Sequence, residues 1–502
     1  MKKIIFYLLL IYAIKGIAQK EDNNWIIGIG QVNQGSIRQD NLIYFDNDSF
    51  HVQLLNRSIP FFGAMAIVSD TSGHLQCFSN GINVYNRYYE IMINGAEYQS
   101  SSKYIYGYPF EQSVLILPLP DTSARYLMID GNQKDIVIDV VTLNLRYSVI
   151  DVLGGNGYGV VVEKMKTVEN SSDTLNVGFL TAVRHENGKD WWVLTTKYET
   201  NRYRKFLVTK TGIHYHDDQE IGETVHNGVG YSSFAPNGRW YAAYMSYGKT
   251  TDPTAALYLY GFDRCTGQLS DPYFRFFLDL YSYGGVAFSP NSRFLYVSKT
   301  SRILQYDLQA ADILGSETVV AEYDGFLDEQ GAPTRFYGLQ LAPDGKIYGN
   351  VPGFNTRYLH VIDQPDLPGA ACNVIQHAIY LPAQNFGTLP NLPYYRLGAA
   401  GAPCDSIVDA MIPAPAADAG RIRVWPVPAA DVLYFSAETA REEPLRLLLF
   451  DALGRIALEQ PALYLSPTAT VRLDALLPGA YYYTLRSKNG KALNSGKVIR
   501  TQ

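Results

Sequence analysis

Few residues in this chain have the type and spacing that catalysis needs. The run HYHDD, His214 to Asp218, offers metal-ligand types, yet His214 and His216 share one strand face with no partner at zinc spacing. It reads as a solvent-facing hairpin. His185, close to Asp190-Trp191-Trp192, has the makings of a buried base, but an imidazole packed on indoles in a strand is the commoner arrangement. GGNGYG, Gly154 to Gly159, lacks the helix that follows a dinucleotide loop, because VVVEKMKTV is β-branched, so it reads as a glycine turn. FDNDSF lacks the glycine and distal glutamate of a calcium loop, and no Gly-x-Ser-x-Gly nucleophile elbow occurs. The sequence therefore assigns no catalytic residue, no metal ligand and no cofactor.

The elements that would position any site are strands. Tyrosine is abundant, with 39 copies beside 42 Gly and 25 Pro, and that mixture suits half-buried strands separated by tight turns. At 502 residues the chain exceeds one ordinary core, which implies several domains or a repeat architecture. Charged residues make up 18% and hydrophobic ones 47%, the balance of a chain that buries a core. A net charge of −6 supplies no field for nucleic acid or anionic lipid, so nucleic-acid partners are disfavoured.

Lys2-Lys3, the apolar run Ile4 to Ile14 and the small residues before Gln19 have the parts of a signal peptide, residues 1–18, with cleavage between Ala18 and Gln19. About eleven apolar residues at about 1.5 Å each cannot span a bilayer core of roughly 30 Å. No later stretch is long and apolar enough to do so, and the mature chain is expected to have no transmembrane span. Four cysteines in an exported chain allow two disulfides in three pairings. Cys372–Cys404 is the preferred pair, worth roughly 3–4 kcal/mol by loop closure; Cys77 reads as a buried apolar filler, and Cys265, in the turn DRCTGQ, is unassigned.

Three segments repeat one theme: SSFAPNGRWYAAYM, VAFSPNSRFLYVSK and LQLAPDGKIYGNV, whose prolines Pro236, Pro290 and Pro343 are separated by blade-like steps of 54 and 53 residues. Each reads as two antiparallel strands around a two-residue turn at Asn237-Gly238, Asn291-Ser292 or Asp344-Gly345. Weaker copies occur at SDTSGHLQCFSNGINVYN, LPLPDTSARYLMID and AVRHENGKDWWVLTTK, giving six hairpins. NNWIIGIG and NLIYFDND, with HAIYLPAQNFGTLPNLPYY, are positioned to complete a further blade from both chain ends. The expected fold is an all-β propeller over residues 19–397, with seven blades in a range of six to eight. Stacked β-sandwiches are the alternative, but a 53–54 step is short for a seven-strand sandwich of about 100 residues. The Ala/Pro/Gly-rich stretch 398–420 reads as a linker.

From Arg421 the pattern becomes that of a small Ig-like module of about seven strands, residues 421–502. Four motifs occur in order: Trp425-Pro426-Val427-Pro428; Phe450-Asp451-Ala452-Leu453-Gly454-Arg455; Leu476-Leu477-Pro478-Gly479-Ala480-Tyr481; and Asn489-Gly490-Lys491 with Gly496-Lys497-Val498. This module resembles the type A C-terminal sorting domain of the type IX secretion system, with Val427 standing where that pattern has Asn. The resemblance implies the secretion machinery as a partner, passage across the outer membrane, and a secreted or surface-held product. An ordinary Ig-like accessory domain is the alternative. The body, through VSDTSGHLQCFSNGINVYNRYYEIMINGAEY, GFDRCTGQLSDP, FSPNSRFLYVS and similar segments, resembles the propeller region of surface proteins of gliding-type bacteria. That family implies a fold and a surface role, with no established chemistry.

Two functional classes follow. In one, the propeller is a binding or adhesion module that presents aromatic loops to a glycan or protein. In the other it is a secreted enzyme acting on glycans or lactones, although the Ser-x-Asp-x-Gly-x-x-Trp box of propeller sialidases is missing and SDTSGHLQ is only a loose echo. Two or more carboxylates and a histidine converging on the channel would favour the enzyme.

Overall fold

The computed structural model describes residues 19–501 apart from 30–38, 47–48, 101, 105–106, 137–138, 172, 250–251, 279–282, 354–355, 401–403, 405–421, 427, 438–442, 452–455, 466–467 and 489–491. Two compact units divide at Cys404 and Asp405. The expected linker therefore begins later than Gly398, because Gly398, Ala400 and Cys404 are bonded into the first unit.

Among the described residues, the first unit is a propeller of seven antiparallel sheets. The first sheet holds Asn24–Ile27, Asp40–Asp46 and Ser49–Leu55, and the second Ala66–Ser69, Leu75–Ser79 and Val84–Asn86. Five four-stranded sheets follow, whose innermost strands are Val114–Pro118, Thr181–Arg184, Val229–Phe234, Gly284–Phe288 and Leu339–Leu341. The six hairpins read from sequence are the inner hairpins of blades two to seven.

Blades pack on both faces, which is why strands such as Trp191–Thr196 are buried at every position and hydrophobic alternation is lost. Each pair of neighbours shares an apolar cluster. Ile26 meets Phe78 between blades one and two, Trp192 meets Tyr241 between four and five, and Leu257 meets Phe288 between five and six. Trp25 and Phe45 of the first blade meet Tyr348 and Leu359 of the last, so the ring closes. Tyrosines expected to be half-buried sit fully inside these seams, their hydroxyls bonded to partners within the protein: Tyr258 to Thr224 O and Tyr296 to Pro365 O, both at 2.8 Å.

The inner turns differ from the two-residue form expected. Gly238 N–H donates to Ala235 O, Ser292 N–H to Ser289 O and Gly345 N–H to Ala342 O, which makes four-residue turns with the proline second. Only the fourth residue is left-handed, at φ +69°, +61° and +77°. Asn237, Asn291 and Asp344 instead accept a backbone N–H two residues on, at 2.8, 2.9 and 3.1 Å.

Closure does use both chain ends, without a regular strand at the carboxyl-terminal side. Residues 386–396 run antiparallel beside Asn24–Ile27, from Phe386 N–H on Gly28 O to Arg396, whose guanidinium holds Asp22 at 2.7 Å. Pro390 and Pro393 supply no N–H, so no ladder forms. Asn391 makes the axial contacts: its Nδ2 donates to Val114 O and Leu180 O, both at 2.9 Å, and its N–H to Met65 O at 2.7 Å.

The disulfide is Cys265–Cys404, with Cα atoms 5.5 Å apart, and not Cys372–Cys404. Cys372 ends a one-turn helix, Gly369–Cys372, and is buried as a free thiol in the apolar seam between blades six and seven. The tail leaves the ring beside blade five, where the turn bearing Cys265 meets it. Cys77 is buried and free, as expected.

The second unit is a sandwich of a three-stranded sheet (Ile422–Trp425, Val432–Ala437, Thr468–Arg472) and a four-stranded sheet (Leu445–Phe450, Ile456–Leu463, Gly479–Arg486, Ala492–Arg500). Its core includes Leu433, Phe435, Leu447, Leu449, Leu485 and Val498.

Candidate functional site

A cavity of about 610 Å3 opens at the face where the innermost strands begin. Five rings line it: Phe62, Phe110, Tyr283, Tyr337 and Phe386. Phe62 and Phe386 stand at 85° with centroids 4.3 Å apart, and Tyr283 and Tyr337 at 87° and 6.0 Å. Below the cup the axis is filled. Gln112 donates through Nε2 to Ser232 O and accepts Ser232 N–H, at 2.8 and 2.7 Å, which ties blade three to blade five. With Asn391 beside this pair, the cavity is a blind cup and not a pore.

Aromatic rings stand ahead of three inner strands, Ala66–Ser69, Gly284–Phe288 and Leu339–Leu341, and a fourth follows the outer strand Val374–Asn385. Phe62-Gly63, Tyr283-Gly284, Tyr337-Gly338 and Phe386-Gly387 are four aromatic-glycine pairs, and all four rings line the cup. At two of these pairs neighbouring backbone leaves no room for a side chain on the glycine. A Cβ on Gly284 would lie 2.0 Å from Ser298 O, and Gly63, at φ +89°, would place one 2.7 Å from Pro109 O. These rings were missed in sequence, although the recurring aromatic-glycine dipeptide was a usable signal.

Glu111 is the carboxylate of the cup. Beyond its own backbone amide, its partner among the described residues is the Tyr337 hydroxyl, which donates to Oε1. Burial holds this carboxyl above the ordinary glutamate range, against the pull of that hydrogen bond. Burial likewise keeps Tyr337 far above the usual phenol range, reinforced by the Glu111 charge. Arg335 also lines the cup, but its guanidinium lies over the Tyr323 ring, 5.1 Å from the centroid. No histidine is among the described lining residues.

A larger cavity, about 870 Å3, opens on the opposite face beside Arg239, Trp240, Asp263, Arg264 and Glu186. Its most buried charge is structural: Arg264 donates to Arg184 O, His185 O and Gly398 O. Asp263 accepts the Cys265 N–H at 2.7 Å. Glu186 lies near both sulfurs of Cys265 and Cys404, but these are bonded to each other and offer no thiolate to a metal.

The histidines singled out in sequence are structural. His185 is buried against Trp192; its Nδ1 accepts Asn187 N–H at 3.0 Å, which leaves Nε2 to donate to Cys265 O at 3.2 Å. His216 packs on Trp192 at 4.8 Å instead of facing solvent, because a register shift in this strand pair alters the facing. His214 faces Thr211 at 2.9 Å. Gly155–Gly157 form a single turn between strands, as expected for a glycine turn.

In the terminal module, Pro426 and Pro428 lie in the connection between the first two strands, and Ala429 next to them exchanges hydrogen bonds with Ile499 O and Thr501 N–H. Asp451 ends the strand Leu445–Phe450. Pro478 and Gly479 open the strand in which Tyr481 is buried and donates to Leu477 O at 2.8 Å. Gly496 faces Tyr483 across the sheet, where a Cβ would meet the ring at 2.9 Å, and Lys497 is exposed. Gln19 is described; Ala18, Gly454, Arg455, Asn489, Gly490 and Lys491 lie outside the described residues.

No protein-family model and no curated protein matches the chain. Among solved structures, a protein from Lactobacillus plantarum aligns over 72% of this chain and 98% of its own, at 11% identity and a TM-score of 0.41. A putative 6-phosphogluconolactonase from Bacteroides uniformis aligns over the same shares at 12% identity and 0.41. A quinonprotein alcohol dehydrogenase-like protein from Bacteroides thetaiotaomicron covers 72% of this chain and 75% of its own, at 10% identity and 0.33. At these values the likenesses carry no inference about activity. The architecture itself, seven sheets closed by seams around a plugged axis, makes this chain a β-propeller protein with an appended β-sandwich.

Proposed function

We propose that this protein is an exported binding module whose aromatic cup takes a glycan, and that the terminal sandwich is its label for type IX secretion. The observation that carries the reading is the cup: five rings around one carboxyl, with no histidine and no second carboxylate among the described lining residues. Ring faces bind sugar rings by dispersion and CH contact without needing charge. The carboxylate pair that most glycoside hydrolases use is not among the described lining residues. The four sorting motifs and the hydrogen-bonded final strand support the secretion part of the reading. The test is glycan-array screening of the mature chain, then calorimetry and product analysis on hits. Binding without turnover, lost in Phe62→Ala and Phe386→Ala, is expected. Turnover of a bound glycan, or binding unaffected by both variants, overturns the reading.

A further inference from the structure

Not every glycan suits this cup equally. A neutral sugar presents hydroxyls that seek both donors and acceptors, yet two of the cup's hydroxyls already donate inside the protein. The Tyr337 hydroxyl donates to Glu111, and Thr300 Oγ1 donates to Tyr283 O at 3.1 Å. The Arg335 guanidinium is stacked on Tyr323, which is not a lining residue. Besides Arg335, what remains open to a ligand is ring surface and the Glu111 carboxyl, which has no ion-pair partner among the described residues. Perpendicular ring pairs around a carboxylate form a box suited to a cation, because the faces of aromatic rings carry partial negative charge and a carboxylate completes the neutralisation. The volume, about 610 Å3, falls in the range of roughly 300–1,000 Å3 that holds a ligand of one or a few rings.

We infer that the cup selects a glycan bearing a free amino group, with the ammonium held between the aromatic walls and the Glu111 carboxylate. This deepens the binding-module reading and rests on it. The acetylated form of the same sugar carries no charge and leaves the Glu111 carboxylate without a counter-charge, which disfavours it. The titratable groups facing Glu111 are the phenols of Tyr337 and Tyr231, both held far above neutrality by burial, and Arg335, which shares the lining. Glu111 is thus the group whose proton switches the charge of the cup.

Calorimetry of the mature full chain with a trimer of glucosamine and the matching N-acetylglucosamine trimer tests this directly. The amino trimer is expected to bind at least tenfold tighter, with the preference shrinking as salt rises. Glu111→Gln should bring the two affinities within about threefold, and Tyr337→Phe should keep the preference. Equal affinities in the unaltered protein, or a preference that survives Glu111→Gln, overturn the inference and leave the binding-module reading standing. Failure of both trimers and of every neutral glycan tried overturns both. The comparison on the unaltered chain decides the matter even if a variant misfolds.

Discussion

Breaking Cys265–Cys404 is the perturbation whose size the structure sets most directly. The bond joins residues 139 apart, so its removal releases a long loop in the unfolded chain. The chain-entropy relation gives about 5 kcal/mol at 25 °C for a loop of that length, near the top of the range measured for native disulfides. Urea denaturation of the propeller, followed by tryptophan fluorescence, reads this loss. Cys265→Ala, Cys404→Ala and the double variant should all fall by roughly 3–5 kcal/mol, and by the same amount, because each breaks one bond. Reductant should shift the unaltered protein to match them. Cys372→Ala should lose only about 1–2 kcal/mol, the cost of deleting one buried sulfur from an apolar seam. Hydrogen exchange at Asn391 N–H should quicken in the disulfide variants, since the tail they loosen carries that amide to the ring axis. A Cys404→Ala midpoint equal to the unaltered one, with Cys372→Ala falling furthest, would refute the pairing and the tail path together.

Three further outcomes are expected. His360 is 1% exposed and its pKa is pushed down to about 4 by burial, so its folded form stays neutral while the unfolded form takes up a proton below about 6.5. Stability present above that pH is lost as pH falls toward 4, by about 3 kcal/mol in all, and the pH slope of the urea midpoint should flatten over this window in His360→Asn; an unchanged slope contradicts it. Asn391→Ala strips the donor from Val114 O and Leu180 O at the axis and should cost about 2–4 kcal/mol in the same urea assay; a loss under about 1 kcal/mol counts against the plug. Deleting Gly490 to Gln502 removes the strand Ala492–Arg500 and the buried Val498, and fractionation should find the protein held in the periplasm; normal surface display would refute the sorting role.

The propeller was legible in sequence because its unit is local. A proline, a polar turn residue and a glycine or serine at a 53–54 step define one inner hairpin wherever it occurs, and Pro236, Pro290 and Pro343 mark three of them. The terminal sandwich was legible for the same reason: its strands are short and separated by short polar, proline or glycine breaks. The cup was not legible. Phe62, Glu111, Tyr283, Tyr337 and Phe386 come from five separate stretches and are ordinary residues in each; only the ring brings them to one mouth. The aromatic-glycine pair ahead of inner strands hinted at three of them, but nothing local says which face a strand begins on.

The cysteine pairing shows the same division. Sequence determined that four thiols were present and that one, Cys404, lay just past the last repeat. Which thiol it met depended on where the tail emerged after crossing the axis, a path set by Asn391 reaching three blades and Arg396 reaching Asp22. Periodic backbone hydrogen bonding and turn chemistry act over a few residues, so the chain's own order records them. Loop closure across hundreds of residues depends on the packed geometry of every blade between, and only the folded ring decides it.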